Sequence, residues 1–103
     1  MPQRKRASVR LLRPAEEDLT EIYEYIAAED PSAAERLTLR IEKDLKALAK
    51  RPMLGPVPRD PDIAQLGYRH LVMGEYLAFY KIEGPQILVH RILHGARDYS
   101  EIL

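Results

Sequence analysis

The chain has 103 residues, 46% hydrophobic and 31% charged, with no cysteine and a formal net charge of zero. That length supports one domain with one core. The missing cysteines exclude a disulfide framework and any thiolate metal site, and no apolar run approaches the roughly 18 residues that cross a bilayer. A soluble cytoplasmic protein is expected.

Zero net charge conceals segregation. The first thirteen residues hold Arg4, Lys5, Arg6, Arg10 and Arg13 with no acid. Residues 14–30 hold Glu16, Glu17, Asp18, Glu21, Glu24, Glu29 and Asp30 with no base. Such blocks create local fields of opposite sign on one small surface.

Residues 1–7 read as a flexible basic tail, and 8–103 as the single domain. Ser8 to Leu12 is a short β run that Pro14 ends, since proline cannot donate to a ladder. A helix over about 14–28 follows, with Ala15, Leu19, Ile22, Tyr23 and Ile26 forming one apolar stripe. Its early carboxylates, Glu16, Glu17 and Asp18, suit the positive end of the helix dipole. Asp30-Pro31 pairs an N-cap carboxylate with a proline in the first turn and starts a second helix, about 31–51. Ala34, Leu37, Ile41, Leu45 and Leu48 are its stripe. Lys46, Lys50 and Arg51 crowd its carbonyl end. The short join predicts an antiparallel helical hairpin whose stripes need a sheet to cover them.

Residues 52–62, punctuated by Pro52, Gly55, Pro56, Pro58 and Pro61, read as an ordered surface loop. Strands are predicted at about 67–73, 76–82 and 86–93, joined by Gly74-Glu75 and by Glu83-Gly84-Pro85 into an antiparallel meander. The last strand, apolar at nearly every position, should be interior. The order β-α-α-β-β-β gives an α+β two-layer sandwich, the hairpin on one face of a mainly antiparallel sheet. The opposite face and one edge are expected to lack cover.

These residues resemble a known family. Leu12-Arg13-Pro14-Ala15-Glu16-Glu17-Asp18-Leu19 with Ile22-Tyr23 carries the likeness first, then Ala47-Leu48-Ala49, Pro52 and Gly55. Gly67-Tyr68-Arg69, Tyr76-Leu77-Ala78-Phe79-Tyr80 and Ile92-Leu93-His94-Gly95-Ala96-Arg97-Asp98 complete it. In this order, over Val9 to Tyr99, the chain is similar to the RelE/ParE superfamily of bacterial toxins from type II toxin–antitoxin pairs, and looks closest to its ParE branch. The resemblance implies a toxin that poisons DNA gyrase without chemistry of its own, needs no cofactor, and is neutralised by a cognate ParD-like antitoxin in a hetero-oligomer.

The superfamily hosts a second activity, ribosome-dependent messenger-RNA cleavage, which needs a general base, a general acid and cations. Its candidates here are Arg69, Arg91, His94, Arg97 and Tyr99. Nuclease members place lysines along the second sheet strand and an arginine in the third. This chain has Arg69 and then Leu71, with Leu77 in the third, and Tyr99 stands nearer Arg97 than its nuclease counterpart does. A non-toxic interaction domain is the third reading.

For a target surface the candidates are Arg69, His94, Arg97, Asp98 and Tyr99. For antitoxin contact they are Val9, Arg10, Leu11, Arg13 and Tyr23, with the two arginines suited to an acidic tail. Arg97-Asp98 could equally be an ion pair pinning the C-terminal segment. A metal triad of His70, His90 and His94 is not expected, because His90 and His94 stand far apart on a strand and no carboxylate is placed to complete it.

Overall fold

The computed structural model describes residues 7–97 and 102–103. Strand β1 (Ser8–Leu11) leads into helices α1 (Arg13–Ala27) and α2 (Pro31–Lys50). A five-residue helix α3 (Pro61–Gln65) follows, then strands β2 (Arg69–Met73), β3 (Tyr76–Glu83) and β4 (Gln86–His94). The sheet order is β1-β4-β3-β2, so β4 is interior, as its apolar sequence predicts. β1 pairs parallel with β4, Ser8 level with Gln86 and Leu11 with Val89. The other pairings are antiparallel, with a register shift between Phe79 and Tyr80.

Each element has a local cause. Asp30 caps α2 through its side chain, which accepts from the Ala33 N–H at 3.1 Å, with Pro31 in the first turn. Leu12 stands at the α1 N-cap without a side-chain bond, and Pro14 fits the first turn. Two-residue turns close both hairpins. Gly84, at φ 57°, takes the left-handed conformation that lets Pro85 follow and the strands re-pair at Gln86.

The main core lies between the hairpin and one sheet face. Ala15 of α1 and Ile41, Leu45 and Leu48 of α2 meet Leu71, Met73, Ala78, Tyr80, Ile87, Val89 and Ile92, all buried. Val9 and Leu11 of β1 are half-buried against the same cluster.

Three expectations change. Ala7, assigned to a loose tail, donates its N–H to the Ala49 carbonyl at 3.2 Å and packs on the core; residues 1–6 lie outside the described residues. The 52–62 segment contains the start of a helix: Asp60 caps α3, accepting from the Asp62 N–H at 2.9 Å. The second sheet face is not bare, because Ile63 of α3, Tyr68, Phe79 and Leu93 form a further cluster, with Leu77, Ile102 and Leu103 packed against it.

The loop before α3 is pinned from within. The buried Tyr80 hydroxyl donates to the Pro52 carbonyl at 2.7 Å and accepts from the Gly55 N–H at 2.9 Å. A β-carbon on Gly55 would stand 2.4 Å from the His70 carbonyl oxygen, a separation that only glycine avoids.

Candidate functional site

Asp18 is the one buried charged residue among those described, 8% exposed, on the inner side of α1. Its carboxylate takes both arms of the Arg91 guanidinium, from Nε at 2.7 Å and Nη2 at 2.8 Å, and also the Ile92 N–H at 3.0 Å. Three donors satisfy a charge that burial alone would make costly. The same partnership stabilises the Arg91 guanidinium in its charged form, raising its pKa. This fork fastens α1 to the interior strand across 73 residues of sequence.

Directly beyond it the two elements part to form a groove of about 470 Å³. Ile22, Ile92 and Leu93 are its apolar lining, Glu21 and Tyr25 line it from α1, and Tyr76, His94 and Arg97 line it from the sheet end. Tyr25 is 82% exposed, an unusual position for a large aromatic. Tyr76 and His94, level across β3 and β4, meet edge to face at 5.3 Å between ring centres. Burial, with Glu75 and Tyr25 adding to it, pushes the Tyr76 phenol upward, favouring its neutral form. His94 Nδ1 accepts from the Ala96 N–H at 3.0 Å. That bond places an imidazole proton on Nε2, which stands 3.8 Å from a Glu75 carboxylate oxygen.

The structure thus brings His94 and Arg97 into one groove and leaves Arg69 elsewhere. Arg69 is level with Tyr80, whereas His94 is level with Tyr76 and, through it, with Met73. The four-residue step from Arg69 to Met73 is about 13 Å along the strand. There Arg69 Nη1 donates to the Gly55 carbonyl at 3.2 Å, bracing the loop that Tyr80 holds. Asp98 and Tyr99 lie outside the described residues. The groove residues missed by sequence reasoning are Glu21, Tyr25 and Tyr76, together with Asp18 behind them. A signal for Asp18 existed: at helical period it stands three residues from Ala15 and four from Ile22, on the stripe itself.

Among the antitoxin candidates, Val9 and Leu11 turn half-buried side chains to the core, which leaves the β1 backbone edge and the exposed Arg10 outward. Arg13 is exposed and pairs with Glu17 one turn on, at 3.3 Å. Tyr23 lies away from that strand, in a notch against Glu35, Thr38 and Leu39 of α2.

The three histidines keep separate company: His70 against Phe79, His90 against Tyr68, and His94 against Tyr76. Among the described residues, no group of three or more histidines and carboxylates is placed to hold a metal ion.

Comparison with known proteins places the chain in a family. Residues 9–99 match the family described as the ParE toxin of the type II toxin–antitoxin system parDE. The chain belongs to that family of toxins. Its fold is similar to a chain of the chromosomal ParDE system from P. aeruginosa, with a TM-score of 0.73 and 24% identity over 85% of this chain and 95% of that one. It is also similar to a chain of the RelBE2 toxin–antitoxin complex from Mycobacterium tuberculosis, with a TM-score of 0.61 and 21% identity over 86% and 98%. No curated protein sequence matches. Among the described residues, no helix is long and apolar enough to cross a membrane.

Proposed function

We propose that this toxin arrests growth by binding DNA gyrase at its cleaved-DNA stage, without chemistry of its own, and that a cognate antitoxin neutralises it. The observation that carries the reading is the fate of the cations an RNA-cleaving site would need. Arg91 is forked onto Asp18, and Arg69 is tied to Gly55 about 13 Å along the sheet from the level of His94. Leu71 is buried in the main core and Leu77 packs on the second cluster, at two places where nuclease relatives carry charge. Stabilising a crowded phosphate takes convergent cations, whereas holding a partner in one conformation takes a shaped, rigid surface. The groove at the end of β4 has an apolar lining, two tyrosines for anchors and a fork that fixes its sides.

In this reading His94 and Arg97, with Asp98 and Tyr99 beyond them, contact the target, and Arg69 supports the loop. The outward edge of β1, with Arg10 and Arg13 beside it, receives the acidic antitoxin segment by strand addition.

Purified toxin incubated with gyrase, ATP and supercoiled plasmid tests the first part. Linear DNA released by detergent and protease is the expected product, and messenger RNA on translating ribosomes should stay intact. Cleaved messenger without linear plasmid would transfer the chain to the nuclease reading. For the second part, replacing the exposed Arg10 and Arg13 together with glutamate should weaken antitoxin binding with an unchanged melting temperature; an unchanged affinity would refute that placement.

A further inference from the structure

The chain leaves β4 through a turn in which Gly95, Ala96 and Arg97 each find an acceptor for the backbone N–H, and one acceptor is a titratable ring. The Gly95 N–H donates to the Glu75 carbonyl at 2.8 Å, which ties the turn to the β2–β3 connection. The Arg97 N–H donates to the His94 carbonyl at 3.0 Å and closes the turn on itself. Between them, the Ala96 N–H donates to His94 Nδ1 at 3.0 Å. A side chain that accepts the N–H two residues on is the device by which asparagine and aspartate stiffen turns. Here an imidazole does that work, and the residue the turn delivers to the groove is Arg97.

Two neighbours draw the imidazole towards opposite protonation states. The Ala96 N–H needs the lone pair on Nδ1, which only the neutral ring has. The Glu75 carboxylate, 3.8 Å from Nε2, favours the charged ring. The other groups facing it are Glu21 and Tyr25 from α1, Tyr76 from β3 and Arg97 of the turn itself. Asp18, behind them, is already forked onto Arg91. Carboxylates, phenols and guanidinium groups ordinarily keep one charge state between about pH 5 and 8, whereas an imidazole changes its own there. Among these groups, mild acid therefore acts on the ring.

We propose that His94 is a positioning residue: its bare Nδ1 holds the turn that carries Arg97 into the groove, and protonation of the ring releases that turn. A proton taken from solvent onto Nδ1 leaves two donors facing each other where a hydrogen bond stood. The Ala96 N–H then turns to water, and the turn keeps only its two backbone ties. Losing one exposed bond of this kind shifts the closing of a turn by about three- to tenfold. The consequence for the target rests on the reading that this groove contacts gyrase, whereas the behaviour of the turn does not. Toxin that meets its target in mild acid then holds it more weakly.

The test starts with the free toxin. Solvent exchange of the Ala96 amide is read by NMR relative to the rate of an unstructured chain at the same pH. Protection should fall about three- to tenfold from pH 7.5 to 5.5. Two variants separate the ring nitrogens. In His94→Asn the side-chain oxygen takes the place of Nδ1, so Ala96 should stay protected at both pH values. In His94→Gln the oxygen reaches only the place of Nε2, so Ala96 should be unprotected at both. Toxin–gyrase affinity should then weaken with acid more steeply for the wild type than for H94N. Unchanged protection in the wild type across this range, or equal protection in H94N and H94Q, would overturn the proposal. Equal pH slopes of gyrase affinity in the wild type and H94N would overturn it too. A turn that responds to pH in a toxin that binds no gyrase would uphold the positioning role and refute the target reading instead.

Discussion

Asp18 illustrates how much one side chain can carry when it is both buried and charged. Asp18→Asn keeps the shape but removes the charge that Arg91 and the Ile92 N–H are aimed at. The expected loss is about 2–4 kcal/mol, read by urea unfolding, and the D18N/R91Q double change should cost less than the two singles summed. Arg97 sits at the other extreme, exposed on the groove rim. Arg97→Ala should therefore relieve growth arrest while the melting temperature stays within about 2 °C, as for surface substitutions outside a packed or paired site. Earlier melting with arrest unchanged would make it a structural residue instead. The residue scale also holds a pH dependence. His70 Nδ1 and His90 Nε2 are buried without a hydrogen-bond partner, and burial is the first cause lowering both pKa values. Lys81 lowers His90 further, and Glu83 opposes it. The unfolded chain then takes up protons below about pH 6.5 that the folded chain resists. Stability is complete above that pH and declines as the pH falls from there towards the lowered folded values. Melting temperatures between pH 7.5 and 5 should show the decline, and a H70Q/H90Q variant should flatten it.

At the scale of elements, the two long helices and the meander were readable because each satisfies a local rule across many residues. The α2 stripe of Ala34, Ile41, Leu45 and Leu48 is buried as its spacing predicts. The interior place of β4 follows from its continuous apolar run. Helix α3 escaped notice although Asp60-Pro61 repeats the Asp-Pro start that marks α2. Five residues are too few for periodicity to register, and the prolines around it read as loop. Its contribution lies in Ile63, 1% exposed beneath the sheet. Ile63→Ala should cost about 2–4 kcal/mol and expose the second cluster to a hydrophobic dye. In the neighbouring loop, Tyr80→Phe strands the Gly55 N–H and the Pro52 carbonyl. A loss of about 1–3 kcal/mol is expected, with faster proteolysis between Pro52 and Arg59.

Across the whole molecule, charges of one sign predominate on particular faces, with paired exceptions such as Arg13–Glu17. The β1 edge presents Arg10 beside Arg13, α1 presents Glu21 and Glu24, and the outer stripe of α2 presents lysines. A neutral sum thus coexists with faces of either sign, which lets one small domain hold partners of different character. The site was only partly legible for the same reason. His94 and Arg97 are close in the chain, so their meeting could be expected. Tyr25 and Tyr76 are separated by half the chain and look like ordinary core aromatics. Arg69 shares a charge type with the groove residues but lies at another level of the sheet.

The order of elements, the apolar stripes and the family likeness were all determined by the sequence, since each depends on residues near one another or on a pattern spread over the chain. Strand register decided the rest. Which arginine meets Asp18, which tyrosines line one groove and which strand edge stays outward are relations between distant segments. They are settled only when parallel pairing of β1 with β4, and the bulge at Phe79–Tyr80, bring particular side chains level.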